Sequence, residues 1–477
     1  MKLLITGCLT VLGLSTFSAI SSAQPSGGGE RDRHAELRRQ ADSAYRQRNF
    51  QQTVELTSQV LSQNPQDPIA LYLRGSARVE LGIASSDGNL IREGIEDARQ
   101  AIQADSTNRV EFYLPYLYGM SHLTALEGNT SHAEMAVRVA TDIAGREGVL
   151  TSSKSNLLYQ KALAQSKLEK FADAAETLRA TLEIAPNHLA AHMALADVLA
   201  RNGDVGDAEA AFTKAIEQFP QNPLVFNNRG MFYQTQNRNA DAIADFTSAI
   251  ELDANHLQAH LNRGFTRLNI GEHAAAQGDF TRAIEISPDH APAYALRATS
   301  QLLQNKVTEA LQDYLKVIEL RPSYPPARAD IAFGYFFAGH YETAGQAFQQ
   351  ALTLNPNAKY LVPWRYASMS LAGQQNAANQ EYADISGKPA DQRDWFDQLT
   401  LFFMGKLEER ELLTAIDSTD AGMRDAQLCE AYYFMGLKLQ QQGQGDPARY
   451  FRNALQSQSK QLSAYRAAQL ALNRMQQ

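Results

Sequence analysis

The sequence predicts an all-α fold in which about ten helical hairpins stack in one array, followed by a helical C-terminal cap. The main observation is a 34-residue period: five consecutive units between Leu189 and Ala358 repeat one pattern of small and aromatic residues. A second observation is that most of these units end in proline, which terminates a helix. One amphipathic hairpin cannot bury its apolar face alone, so such units bury it by stacking on their neighbours.

Each unit contains two predicted helices. A small residue marks the first helix in every unit, at Ala196, Gly230, Gly264, Ala298 and Ala332. Twelve residues later a second small residue marks the second helix, at Ala208, Ala242, Ala276, Ala310 and Ala344. An aromatic residue follows at Phe212, Phe246, Phe280, Tyr314 and Phe348. Small residues let the two helices approach closely, and the aromatic ring fills the space beside them.

This pattern resembles the tetratricopeptide repeat, whose 34-residue helix–turn–helix unit carries the same small, aromatic and proline positions. The resemblance implies a right-handed solenoid whose first helices line a concave face. Weaker units are expected on both sides of the five strong ones. Their markers are Ala41, Phe50, Gly75, Gly119, Ala133, Ala162, Phe171, Gly373 and Tyr382.

The chain divides into four predicted segments. These are a signal peptide (1–23), a flexible linker (24–34), the repeat array (35–382) and a helical, repeat-like C-terminal region (383–477). Lys2 precedes an apolar stretch, and Ala23 ends a small-residue cleavage site, so the mature protein is expected to be periplasmic or secreted. Too few residues precede Cys8 for a lipoprotein signal, and membrane contact is expected only if the signal peptide is retained.

The C-terminal region carries a second resemblance. Its residues are Trp364, Gly373, Trp395, Leu399, Phe402, Leu412 and the stretch from Gln427 to Gly436. They look similar to the C-terminal region of bacterial envelope tetratricopeptide lipoprotein adaptors. That resemblance implies a protein that brings envelope partners together.

Charged residues recur in two columns of the repeat. Arginine precedes the first small residue in five units, and an acid lies sixteen positions further along in the same five. The pairs are Arg74 with Asp97, Arg229 with Asp245, Arg263 with Asp279, Arg297 with Asp313, and Arg365 with Glu381. We expect ion pairs within each hairpin, with a structural rather than a binding role.

Two histidine pairs have the i, i+4 spacing of a metal half-site: His188 with His192, and His256 with His260. Both pairs fall at the turn before a first helix, and no third ligand accompanies them, so no metal site is predicted. The net charge of −8 argues against a nucleic-acid partner. Without a catalytic signature, no enzyme activity, cofactor or small-molecule substrate is predicted.

The predicted partner site is an apolar, aromatic concave groove. Its residues are Met231, Phe265, Leu268, Leu302, Phe333, Phe336 and Phe337. An exposed apolar patch usually marks an interaction surface, but the C-terminal helices or a second copy of the chain could also fill it. The expected function is therefore an exported, non-enzymatic scaffold that binds protein or peptide partners, with a homodimer as one arrangement. The alternatives are a holdase-like assembly factor with many clients and an enzyme without a recognisable signature.

Overall fold

The computed structural model describes residues 29–107, 109–304, 306–322, 325–417, 419–460 and 462–475. Every regular element within these ranges is a helix, so the all-α prediction is confirmed. The predicted signal peptide and residues 24–28 lie outside the described residues. No helix in the described part combines the length and apolar character needed to cross a bilayer. The chain divides into two compact units, residues 1–236 and 237–477, which are treated separately below.

The first unit consists of helices that alternate as first and second members of hairpins. They are α1 (Gly29–Arg46), α2 (Phe50–Gln63), α3 (Pro68–Ser85), α4 (Gly88–Ala104), α5 (Tyr113–Glu127), α6 (Thr130–Ala144), α7 (Thr151–Lys167), α8 (Phe171–Ile184), α9 (Leu189–Asn202), α10 (Val205–Gln218) and α11 (Pro223–Thr235). Each of the first helices α3, α5, α7 and α9 packs on the second helix of its own hairpin and on neighbouring first helices. The first helices therefore form one layer and the second helices another.

Polar side chains start many of these helices. Asp67 accepts hydrogen bonds from the backbone N–H groups of Ile69 and Ala70, and Asp87 does the same for Asn89 and Leu90. Pro68 fits the first turn of α3 because that position needs no backbone donor. These caps explain why the helices begin where the repeat turns end.

The predicted linker is wrong for residues 29–34, because α1 already begins at Gly29. After Gly29 the sequence is rich in arginine, glutamate and alanine, which favour a helix. The helix is anchored by its neighbours: the His34 side chain contacts that of Gln63 on α2, and Arg38 Nη1 lies 3.1 Å from Asp67 Oδ2. Tertiary contacts therefore extend the array towards the N-terminus.

The second hairpin is longer than the 34-residue unit. Its extra residues lengthen the two helices, to 18 residues in α3 and 17 in α4, against 13 or 14 in α9 to α11. Only Ser86, in a left-handed conformation, and the cap Asp87 separate them. Gly75 and Gly94 face each other where the two longer helices meet, and an added Cβ on Gly75 would lie 2.7 Å from the Gly94 carbonyl oxygen. Glycine is thus required for this approach.

The second unit continues the hairpins and adds the C-terminal region. Its helices are α12 (Asn239–Leu252), α13 (Leu257–Asn269), α14 (His273–Ile286), α15 (Ala291–Leu303), α16 (Val307–Leu320), α17 (Pro325–Ala338), α18 (Tyr341–Leu354), α19 (Val362–Leu371), α20 (Gln375–Glu381), α21 (Ala383–Gly387), α22 (Trp395–Phe403), α23 (Glu409–Thr414), α24 (Ala421–Gln442), α25 (Pro447–Ala454) and α26 (Ser463–Met475).

A single core joins the later hairpins of this unit to the C-terminal helices. Trp364 on α19 lies at its centre: its ring stacks on Tyr433 of α24 at 5.0 Å and meets the edges of Phe333 and Phe336 of α17. Helix α26 also packs against α15 and α17. The C-terminal helices therefore cover the side of α15 and α17 on which the predicted groove residues lie.

Candidate functional site

The predicted charge pairs form where both residues lie in one unit. The pairs Arg74–Asp97, Arg263–Asp279 and Arg297–Asp313 each have a shortest N–O distance of 2.7 Å, and Arg365 contacts Glu381. The three aspartates are almost fully buried, with side chains 4 to 8 % exposed. The pair Arg229–Asp245 falls on the two sides of the division between units and stays a prediction. These are buried structural ion pairs, which are costly to break singly.

Asp279 shows how such a carboxylate is held. Arg263 Nη2 and Arg267 Nη1 donate to its two oxygens at 2.7 and 2.8 Å, while His260 Nδ1 lies 3.8 Å away. Burial alone would raise the pKa of Asp279, but the His260 side chain and the two arginines outweigh burial and lower it. The second arginine, one turn after the first, was missed by the sequence analysis.

The same arginine column also joins successive hairpins. Arg263 Nη1 donates to Thr247 Oγ1 of the preceding hairpin at 3.0 Å, and Arg297 Nη1 donates to Thr281 Oγ1 at 3.3 Å. Each guanidinium thus contacts a threonine sixteen residues before it and an aspartate sixteen residues after it. This geometry supports a structural role, because partners within the chain occupy both edges of the guanidinium.

The histidines cap helices. Nδ1 of His188, His256 and His290 accepts a hydrogen bond from the backbone N–H three residues later. His192 Nε2 donates to the Pro186 carbonyl at 2.7 Å, and His260 Nε2 to that of Ala254 at 3.1 Å. Among the described residues no group of three potential metal ligands comes together. The repeated histidines therefore have a structural explanation.

Four of the predicted groove residues lie inside the core of the second unit. Leu302, Phe333, Phe336 and Phe337 are only 2 to 6 % exposed. Arg474 of α26 donates to the Phe337 carbonyl oxygen, which ties the C-terminal helix to this side of α17. For these four residues the structure corrects the prediction of an open groove, because α19 and the C-terminal helices cover this side of α17. Met231, Phe265 and Leu268 are half-buried, and their assignment to a partner site stays a prediction.

In the first unit, tyrosines occupy successive first helices. We call this set the tyrosine row: Tyr45 on α1, Tyr72 on α3, Tyr118 on α5 and Tyr159 on α7. All four are buried, at 3 to 9 % exposed, and burial raises the pKa of each, that of Tyr159 to about 12. Their phenols are therefore neutral hydrogen-bonding groups at physiological pH. The row lies in the layer of first helices, the layer that lines the concave face in repeats of this kind.

The register of the third hairpin differs from the predicted one. The sequence pattern predicts Gly119 as the small residue of the first helix, but an added Cβ there would meet Ile95 and Val79 of the preceding hairpin. Ser121 is buried and precedes Ala133 by the usual twelve residues. With this register, each of three tyrosines lies three residues before the small residue of its own hairpin: Tyr72 before Gly75, Tyr118 before Ser121 and Tyr159 before Ala162.

Glu80 of α3 lies beside the tyrosine row. It lies two turns after Tyr72 on the same helix, and α3 packs on α1 and α5, the helices that carry Tyr45 and Tyr118. The residue is 8 % exposed, and burial raises its pKa despite the opposing charge of Arg48. Glu80 makes no hydrogen bond or ion pair with any residue that the structure describes. A buried carboxylate without such partners is costly and uncommon.

Further along the same layer, polar residues of α5, α7 and α9 face one another. Burial and the charge of Lys167 lower the pKa of His122 to about 4, so the imidazole is neutral. Burial and repulsion from Arg201 lower the pKa of Lys167, although its side chain reaches solvent, and Asp197 opposes that shift. Arg201 donates to Ser166 Oγ at 3.0 Å. The first unit thus presents mixed donors and acceptors, which suit a polar peptide segment.

Comparisons with known proteins identify the repeat. A tetratricopeptide repeat family model matches residues 38–108, 159–223 and 266–325, and a second tetratricopeptide repeat model matches residues 211–244. Neither model matches residues 109–158, the hairpin whose register the sequence analysis misplaced. No curated protein matches the chain.

Several solved structures are similar to parts of this chain. A tetratricopeptide repeat protein from Parabacteroides merdae is 20% identical, with 58% of this chain and 96% of that chain covered and a TM-score of 0.40. MamA is 24% identical, with 35% and 92% covered and a TM-score of 0.33. YrrB, described as a tetratricopeptide repeat protein with an unusual peptide-binding site, is 18% identical, with 39% and 96% covered and a TM-score of 0.35.

Proposed function

Because this chain is a tetratricopeptide repeat protein, a class of protein-interaction scaffold, we propose that it is an exported, non-enzymatic adaptor that binds a protein partner along the first helices of its first unit. The single observation that carries the choice of surface is the tyrosine row with the buried, unpaired Glu80 beside it. If these positions served only to stack hairpins, apolar side chains would give greater stability, because buried polar groups without partners lower the stability of the folded state.

Export is proposed from the N-terminal sequence. The apolar stretch after Lys2 and the small residues that end at Ala23 have the features of a cleaved secretory signal. Periplasmic or secreted partners follow from that location. The adaptor would act by holding one protein near another, which raises their effective concentration.

The holdase alternative is less well supported. It needs a broad apolar surface for many clients, and four of the seven residues assigned to that surface are buried in the second unit. The polar, irregular character of the first-unit surface favours one partner sequence over many unfolded chains.

The test is site-specific photocrosslinking in cells. A photoreactive amino acid at position 167, exposed on the first helix α7, should capture one or a few exported proteins. The control is the same residue at position 134, exposed on the second helix α6. The captured protein, purified, should bind the purified chain directly. Equal capture from both positions, or direct binding that survives substitution of Lys167 and Arg201 together, would contradict the proposal.

A further inference from the structure

Glu80 has no structural explanation within the first unit. The residue is 8 % exposed, and the nearby cations are engaged elsewhere or form no ion pair with it. Arg74 Nη2 and Arg78 Nη1 both contact Asp97 at 2.7 Å. Arg48 acts on Glu80 only at longer range, since no ion pair joins them among the described residues. The carboxyl group therefore has no ion-pair partner among the described residues, and it lies in the layer of first helices that we assign to the partner.

The surroundings of this carboxylate are aromatic. Tyr72 lies two turns before it on the same helix, where its ring stacks on Phe112 at 5.0 Å, and α3 packs on α1 and α5, which carry Tyr45 and Tyr118. Tyr118 is 3 % exposed, and its hydroxyl makes no hydrogen bond with any described residue. A glutamate without an ion-pair partner and a buried hydroxyl without a hydrogen-bond partner thus lie on two first helices that pack together, which points to a group supplied from outside the chain.

We propose that Glu80 and the tyrosines around it form a subsite for a lysine or arginine side chain of the bound partner. The proposal rests on the proposed function, since it names the kind of side chain that the first helices of the first unit would bind. A cation would pair with the carboxylate, and aromatic rings attract cations through their electron-rich faces. An apolar or acidic side chain would leave Glu80 unpaired, so the same subsite rejects them.

The experiment uses defined probes on the full chain. Acetyl-Ala-Lys-Ala-amide is compared with the peptide that carries norleucine, which has a similar length and no charge, and with the peptide that carries glutamate. Binding is followed by NMR of chain with ¹³C-labelled tyrosine rings, whose resonances report on Tyr118 and its neighbours. The lysine peptide is expected to bind at least about ten-fold more tightly than either of the others.

Two variants and a control test the assignment. Glu80→Gln should reduce affinity for the lysine peptide to that for the norleucine peptide, while Tyr118→Phe should reduce it several-fold. Glu134→Gln on α6, an exposed glutamate of the same unit, should change nothing. Glu80→Gln should also raise the melting temperature, because it removes an uncompensated buried charge, so lost binding cannot be attributed to unfolding.

Two results would overturn the subsite: equal affinity for the lysine and norleucine peptides, or lysine affinity unchanged in Glu80→Gln. If crosslinking from position 167 still captures a partner that binds the purified chain directly, the failure concerns the subsite alone. If capture also fails, the proposed function is wrong as well.

Discussion

Arg263 of α13 forms an ion pair with Asp279 of α14, in which Nη2 lies 2.7 Å and Nε 3.2 Å from the aspartate Oδ1. The aspartate is 4 % exposed, so this contact between the two helices of one hairpin is shielded from water. The repeated arginine and acid columns thus mark a buried connection that recurs along the array, unlike an ordinary surface ion pair.

Asp279→Ala should lower the free energy of unfolding by about 3 kcal/mol, because it leaves Arg263 and Arg267 without their buried partner. Urea denaturation followed by circular dichroism measures the change. Glu285→Ala is the matched control, since Glu285 pairs with Arg282 on the exposed face of the same helix and should change stability by less than about 0.5 kcal/mol. Equal effects of the two substitutions would show that the buried pair does not stabilise the hairpin.

Gly75→Ala should destabilise the first unit by about 1 to 3 kcal/mol. The added methyl group would lie 2.7 Å from the Gly94 carbonyl oxygen, so two helix backbones would have to separate. Gly206→Ala on α10 is the control: nothing lies within 4 Å of its added Cβ, and alanine favours a helix. Thermal unfolding should show opposite signs for the two variants. A neutral Gly75→Ala would mean that α3 and α4 can separate without cost.

The repeat columns predicted the hairpins and the charge pairs because both depend on residues at fixed spacing within one unit. The same reasoning failed in the third hairpin, where a serine replaces the usual small residue and Gly119 contacts a neighbouring hairpin instead. The sequence did not single out Glu80, because the spacing of residues along the chain does not show whether a side chain has an ion-pair partner in the fold. Correcting the register replaces Tyr116 with Tyr118 in the tyrosine column.

From the sequence, coverage of α17 by the C-terminal helices is only an alternative to an open groove that binds a partner. Arg474 and Phe337 lie 137 residues apart in sequence, and the 34-residue period says nothing about such distant contacts. The aromatic residues of α17 looked like an exposed patch because the array alone offers them no cover. Trp364 and Tyr433, which cover them, come from helices outside the five strong units.

Phe333→Asp should therefore unfold or strongly destabilise the second unit and should not act as a selective binding mutation. Phe333 is 6 % exposed, and its ring lies 5.1 Å from Phe348 and 5.0 Å from Trp364. Even Phe333→Ala should cost about 3 to 5 kcal/mol. Denaturation followed by Trp fluorescence reports on the loss of this packing. A variant with wild-type stability would restore the idea that Phe333 lies on an open groove.

Glu430→Gln should stabilise the protein above neutral pH. Trp395 Nε1 donates to Glu430 Oε2 at 2.6 Å, and a glutamine oxygen can accept the same bond. Burial raises the pKa of Glu430 to about 7, although the Trp395 hydrogen bond opposes the shift. The folded state therefore holds this proton more tightly than the unfolded state, whose pKa lies near 4.5. The contribution of this bound proton to the stability of the folded state is complete below pH 4.5 and is lost as the pH rises through 7.

The difference in unfolding free energy between Glu430→Gln and the wild type should consequently grow from pH 5 to pH 8, to about 2 kcal/mol. Subtracting the two curves removes the effect of other titrating groups, such as Asp330, whose pKa burial raises to about 6 despite the opposing charge of Arg466. Glu342→Gln, at an exposed position on α18, should give a curve parallel to that of the wild type. If the Glu430→Gln curve is also parallel, then Glu430 titrates alike in the folded and unfolded chain and its burial carries no penalty.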